Sequence, residues 1–247
     1  MAGQLLDTAV TERLSETLGR QGYLHLGAAD FPAAVTGDDF EAFRGRWESL
    51  PADEELVDGG RYRFRRYGRL QVMLGPDGEM EMTALPPASF RQDAALIPLY
   101  AGKKRTFAPI DESVLLHPVM RGLVAFDLGL VRRLAEDVRV WVVGLHMVRI
   151  VAEPSSSGMP TPEGRHRDGH RYVGMHMLRR ANCEGGRSLI YLGGGAAADV
   201  ELTLVEPLDT LIVDDTSLEH EVTPIAGLEP RGIRDMLLVD LNPAAPA

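Results

Sequence analysis

From residue 138 onward the chain is a succession of short β-branched or apolar runs, at 138–150, 172–178, 188–192, 200–205, 210–213, 219–223 and 236–241. Clusters of Gly, Pro, Asp and Asn separate them. The gaps are too short for the crossover helices that parallel strands require, which disfavours a parallel α/β fold. Short strands at turn-punctuated spacing indicate an antiparallel sandwich or barrel.

The first 137 residues have a different character. A helix is expected after a cap at Asp7 or Thr8, with Val10, Leu14 and Leu18 at helical spacing and Gly19 with Gly22 ending it. A short strand follows at 23–26, and a second amphipathic helix fits 38–50, stopped by Pro51. Residues 61–73 and 79–83 read as extended, joined through the turn signal Gly75-Pro76-Asp77-Gly78. A third helix fits 118–136, since proline suits a first helical position and the apolar stripe is long. With 247 residues, 45% of them hydrophobic, the chain can bury a sizeable core without cross-links. The expectation is a mainly β (α+β) single domain over 1–247, with helices and strands over 1–137 and the β-rich core over 138–242.

A formal net charge of −10 argues against binding nucleic acid, because no basic field attracts a phosphate backbone. The exception is local: RYRFRRYGR, at 61–69, carries five arginines among aromatic residues. This is either a strand with a solvated basic face or a site for an anion such as a substrate carboxylate. The N-terminus lacks the basic-then-apolar pattern of a signal peptide, and no apolar stretch is long enough to span a bilayer. The single cysteine, Cys183, permits no internal disulfide. These features together predict a soluble, cytoplasmic protein with no nucleic-acid or membrane partner; a homodimer stays open.

Chemistry concentrates around Glu163-Gly164-Arg165-His166-Arg167-Asp168-Gly169. In an extended segment, residues two apart point to one face, so His166 and Asp168 can converge on a single metal ion. His220, 52 positions further on, lies between two strand-like runs and can supply a third ligand. Two histidines and one carboxylate on one face leave positions open opposite, the arrangement of non-haem Fe(II) oxygenases. An HxD pair alone is a weak signal. Its context strengthens it: Pro160, Pro162 and Gly164 precede the pair and Gly169 follows, placing it at a loop mouth.

Arg234 follows His220 by 14 residues and opens the run at 236–241. A 2-oxoglutarate that chelates iron through its keto-acid end needs a cation for its distal carboxylate, and the arginine fork suits that role. The alternative is a salt bridge between Arg234 and Asp235, Asp214 or Asp215. Arg231 competes for the carboxylate, although Pro230 and Gly232 suggest that it lies in an exposed turn.

The stretches PTPEGRHRDGHRYVGMHMLRRANCEGGRSLIY, LVEPLDTLIVDDTSLEHEVTPI and RGIRDMLLVDL closely resemble the bacterial 2-oxoglutarate/Fe(II)-dependent dioxygenases that hydroxylate free aliphatic amino acids. The resemblance is dense from about 141 to 241 and thinner upstream. It implies a double-stranded β-helix (jelly-roll, cupin-like) core, with His166, Asp168 and His220 as iron ligands and Arg234 on 2-oxoglutarate. Fe(II), 2-oxoglutarate and O₂ are the implied cofactor and cosubstrates, and succinate and CO₂ the by-products. The implied substrate is a small molecule, a free L-amino acid or close derivative. Because Asp168 is a carboxylate and not Ala or Gly, no coordination site is left for a halide, which argues against a halogenase.

From the same reading, at least one of Arg63, Arg65 and Arg66 is expected to contact the substrate carboxylate, alternation placing Arg61, Arg63 and Arg65 on one face and Arg66 on the other, with acidic side chains near the mouth meeting the amine. His146 and Arg149 match positions on the strand leading to the motif, with either a substrate contact or a structural hydrogen bond. His176 reads as a packed strand histidine, and Asp214-Asp215 as a turn pair that caps the loop to His220. Two rival functions stand beside this one: a jelly-roll module that holds metal without turnover, and a cupin-type oxygenase or isomerase that needs no 2-oxoglutarate.

Overall fold

The computed structural model describes residues 8–32, 35–100 and 102–244. Its elements run α1 (Thr8–Gln21), β1 (Tyr23–Leu26), α2 (Asp38–Arg44), β2 (Arg63–Leu74), β3 (Met80–Ala84), β4 (Ala108–Pro109), α3 (Glu112–Leu115) and α4 (Pro118–Val131). They continue with β5 (Val140–Ala152), β6 (Tyr172–Ala181), β7 (Cys183–Gly185), β8 (Ser188–Tyr191), β9 (Val200–Leu202), β10 (Thr210–Val213), β11 (Glu219–Val222), β12 (Ile225–Gly227) and β13 (Gly232–Pro243). The large sheet has the order β1-β10-β6-β13-β5-β2-β3, with β4 beside β2. Two small sheets, β11-β8-β9 and β12-β7, complete the jelly-roll.

Alternation along the strands sorts side chains into two layers. On β13, Leu237, Val239 and Leu241 join a cluster with Leu18 of α1, Phe43 of α2 and Leu123 of α4. Their neighbours Arg234, Met236, Leu238 and Asp240 line a cleft on the opposite face. A second apolar cluster ties that inner face, through Val173, Met175 and Met236, to Ile190 and Leu218 of the smaller layer. Each fully buried aliphatic side chain contributes about 1.5–3 kcal/mol. The sheet therefore rests on its helix layer and does not depend on a bound ion.

The N-terminal 137 residues are woven into this sheet. β2 pairs with β5 from Arg63↔Ile150 to Met73↔Val140, and β1 pairs with β10. Helix boundaries differ from the sequence reading in three places. α1 continues through Gly19 to Gln21 and stops at Gly22, whose φ of 77° suits glycine; Asp7 lies outside the described residues. The α-helix expected over 38–50 gives way at Gly45 to a tighter 3₁₀ turn, Gly45–Ser49. That turn buries Trp47, whose Nε1 donates to the Met236 carbonyl at 3.1 Å. α4 ends at Val131, five residues short of Glu136, because i→i+3 turns at Leu134 and Ala135 reverse the chain into β5. The small two-stranded sheet of β7 and β12 has three residues per strand and little apolar alternation, so it left no mark on the sequence pattern. Among the described residues no helix is long and apolar enough to cross a membrane.

Candidate active site

His166 and His220 meet in an isolated antiparallel bridge and exchange both backbone hydrogen bonds, at 3.0 and 2.9 Å. Residues paired in this way present their side chains to one face, and the two rings lie 4.8 Å apart between centroids. Asp168 completes the group, with Oδ1 3.5 Å from His166 Nε2 and Oδ2 3.2 Å from His220 Nε2. Donor atoms bound at about 2.1 Å to one ion lie about 3 Å or a little more from one another, so the three converge as a facial set would.

The chemistry of the donors fits a metal. His166 Nδ1 lies 2.8 Å from the Gly164 carbonyl, an arrangement that places the proton on Nδ1 and leaves the Nε2 lone pair free. His220 Nε2 is buried without a well-aligned hydrogen-bond partner. Burial opposes ionisation of the Asp168 carboxyl, but the two histidine rings outweigh it and hold the group well below the usual carboxylate range. The Asp168 loop is itself clamped. Asp215, 1% exposed, accepts the backbone N–H groups of Asp168, Gly169 and His170 at 2.9, 2.7 and 3.0 Å. It thus caps the loop that carries Asp168, whereas the sequence reading assigned the Asp214-Asp215 pair to the loop leading to His220.

The triad opens into a cleft of about 820 Å³, its mouth included. Arg234 lines it, 4% exposed, with Nε buried and unpartnered. The carboxylates considered as its counter-ions are all engaged or distant: Asp235 pairs with Arg149, Asp215 holds the Asp168 loop, and Asp214 pairs with Arg171. Burial, with Arg180 nearby, pulls the Arg234 guanidinium down to about 10. A buried cation without a partner is costly unless a ligand supplies the anion. Arg231 is exposed, as its turn suggested.

Arg63 and Arg65 line the same cleft, on the inner face of β2. Arg63 is bound to Asp53 at 2.7 Å and to the Tyr100 hydroxyl at 3.3 Å. Arg65 stacks over Phe107 at 4.2 Å and contacts His146 Nδ1 at 2.6 Å. Arg66 is a correction: alternation turns it to the outer face, where it donates to the Pro109 carbonyl at 2.8 Å and is absent from the cleft. His146 is neutral, driven down to about 4 by burial and then by Arg65, and its Nε2 faces Asp240 Oδ2 at 2.7 Å. Arg149 points into the helix layer toward Asp235 and Glu48, so its role is structural. His176 is packed as expected, between Asp127 and Thr210 at 2.9 Å each.

Polar cleft residues that escaped the sequence reading include Gln92, Arg105 and, as lining carboxylates, Glu163 and Asp240. Arg105 follows Lys103-Lys104 and looks like part of an exposed basic run, yet it is 2% exposed and stacked on Tyr100 at 3.7 Å. The aromatic Phe107 two positions on was the available signal. Glu163 Oε1 lies 3.7 Å from His166 Nε2, and its Oε2 is buried without a partner.

Comparison with known proteins agrees with this geometry. A family model described as 2OG-Fe dioxygenase matches residues 44–240. The chain is 29% identical over 145 residues to the L-isoleucine-4-hydroxylase of Bacillus thuringiensis, a match that spans 57% of this chain and 60% of that one. Among solved structures, a bsmA homologue from Methylobium petroleophilum PM1 superposes with a TM-score of 0.82 and 29% identity, covering 96% of each chain. IDO from Bacillus thuringiensis superposes with a TM-score of 0.78 and 22% identity, covering 95% of this chain and 100% of that one. The chain belongs to the 2OG-Fe dioxygenase family, oxidoreductases that work with Fe(II), 2-oxoglutarate and O₂.

Proposed function

We propose that the protein hydroxylates an aliphatic C–H bond of a free L-amino acid or a close derivative. His166, Asp168 and His220 hold the iron, and Arg234 receives the distal carboxylate of 2-oxoglutarate. When bound, iron and 2-oxoglutarate supply the oxidising power, with succinate and CO₂ as by-products. The chain's own residues bind and orient the substrate and keep water out.

One observation carries the choice of substrate. Among the described residues, Arg65 and Arg105 line the cleft with buried, unpartnered Nε atoms and no ion-paired carboxylate, and Glu163 beside the triad has an unpartnered buried oxygen. A dry pocket must satisfy both ends of a zwitterion. The two arginines, with Arg63, suit an α-carboxylate; Glu163 suits an α-ammonium. Apolar residues Val148, Val173, Met175 and Leu238 line the same space and suit an aliphatic side chain. The similarity to an L-isoleucine-4-hydroxylase supports the same class of substrate. A cytoplasmic setting, where free amino acids and 2-oxoglutarate are both at hand, belongs to this reading.

The test is succinate release with O₂ uptake across the proteinogenic amino acids, starting from L-isoleucine. Turnover with one or several aliphatic amino acids is expected, because a single methylene discriminates by only about 1–3 kcal/mol. Iron binding without succinate release on any amino acid or close derivative would overturn the proposed substrate class.

A further inference from the structure

The segment between β3 and β4 reaches the metal centre through one amide. Phe90 and Arg105 form an isolated antiparallel bridge, with N–H···O distances of 2.8 Å each way. That bridge closes the intervening loop and brings Gln92 and Arg105 side by side. Gln92, 7% exposed, donates from Nε2 to Asp168 Oδ1 at 3.0 Å and reaches the Asp168 carbonyl at 3.3 Å. Its Oε1 accepts from the Arg105 guanidinium.

The orientation of this amide is enforced by its neighbours. A guanidinium only donates and an ionised carboxylate only accepts, so the oxygen must face Arg105 and the nitrogen must face Asp168. Gln92 is thus a one-way connector between a cleft cation and a ligand of the triad. It engages Oδ1 and leaves Oδ2, 3.2 Å from His220 Nε2, without that competing contact. A hydrogen bond to one carboxylate oxygen competes with metal binding through that oxygen and so favours ligation through the other alone, which preserves the open positions opposite the triad. Arg105, stacked on Tyr100 and Phe90, is rigid enough to serve as the anchor.

We propose that Gln92 is a positioning residue that fixes Asp168 as a one-oxygen ligand, and that Arg105 acts on the metal centre through Gln92. This inference rests on the reading of His166, Asp168 and His220 as metal ligands. It does not depend on the identity of the substrate.

The experiment is a titration of the metal-free protein with Co(II), followed by the visible absorption of the bound ion, without 2-oxoglutarate or amino acid. Gln92→Met should weaken Co(II) binding by about 10- to 100-fold, as loss of a ligand's hydrogen-bonding partner typically does. Arg105→Met should weaken it in the same direction by less. The double variant should be no weaker than Gln92→Met to within about twofold, because the two residues act in series. Parent-like affinity and spectrum in Gln92→Met, or multiplying effects in the double variant, would overturn the proposal. Gln92→Glu keeps the size and the Arg105 contact but removes the donor, so it covers the case of a poorly folded methionine variant. Its Co(II) spectrum should differ from the parent's, and a superimposable spectrum counts against the role. Asp168→Ala separates the two readings: if it binds Co(II) as the parent does, the triad assignment is what fails.

Discussion

Arg234 and Asp235 are adjacent on β13 yet never meet. Asp235 is clamped by Arg149 at 2.6 and 2.7 Å in the helix layer, while Arg234 stands in the cleft with no carboxylate partner among the described residues. Replacing Arg234 by alanine should therefore raise the 2-oxoglutarate requirement far more than that for the prime substrate. The expected loss is on the order of 3 kcal/mol, over a hundredfold in binding. Succinate formation against 2-oxoglutarate concentration measures it, with Arg231→Ala as the control that stays near the parent. Without 2-oxoglutarate, Arg234→Met should melt higher than the parent, since it removes a buried unpaired cation.

His166→Ala, Asp168→Ala and His220→Ala should each abolish turnover and weaken metal binding, because each removes one of three ligands. The metal-free variants should unfold cooperatively near the parent temperature, given that the sheet is held by its helix layer. Calorimetry of the metal-free proteins and Fe(II) titration check the two halves of this expectation. Near-parent turnover in any one variant would mean that the triad is wrongly assigned.

The stability of the metal-free protein should fall as pH drops from 6.5 toward 4. Burial, reinforced by Arg65, lowers His146 from 6.5 to about 4, so in that window the unfolded chain binds a proton that the folded one refuses. The contribution is fully present above 6.5 and is lost as pH falls through the folded value, at most about 3 kcal/mol. His170, raised to about 9 against burial by Asp240, stays protonated when folded and adds little slope there. Urea unfolding between pH 4 and 7 should show a steeper decline for the parent than for His146→Gln. Equal slopes would mean that His146 does not remain neutral.

Asp215→Ala should lower both the melting temperature and the metal affinity. It strands three amides of the Asp168 loop, and a buried unsatisfied donor costs about 1–3 kcal/mol. Asp215→Asn, which keeps one acceptor oxygen, should fall between the parent and the alanine variant in both measurements. An alanine variant with the parent's melting point would mean that water replaces the carboxylate at no cost.

What could be read from the residues, and what could not, divides along physical lines. His166, Asp168 and Arg234 announce themselves because strand alternation, flanking glycines and the cost of a lone arginine on an apolar strand are local properties. Gln92, Arg105 and Asp215 do not. They lie outside regular strands, and their significance comes from what they touch across gaps of 76, 13 and 47 residues. Arg66 shows the converse: its basic neighbourhood drew attention, but one step along a strand reverses the face, and with it the role. The 3₁₀ turn at Gly45–Ser49 was hidden in an amphipathic pattern, because helix and 3₁₀ turn place Trp47 toward the core almost equally well.

The division of labour along the chain has a consequence for how such a cleft can diverge. The metal ligands and Arg234 all come from residues 166–234, whereas the cations around the substrate space come from 63–105. The two sets meet across β2 and β5, a seam of backbone hydrogen bonds indifferent to side-chain identity. Substitutions at Arg63 or Arg65 can thus accumulate while the oxidising machinery stays intact. Gln92 is where that freedom ends, because it hydrogen-bonds Asp168 of the proposed triad. New substrate preferences are therefore open to this scaffold through the cations of residues 63–105, provided that the amide is kept.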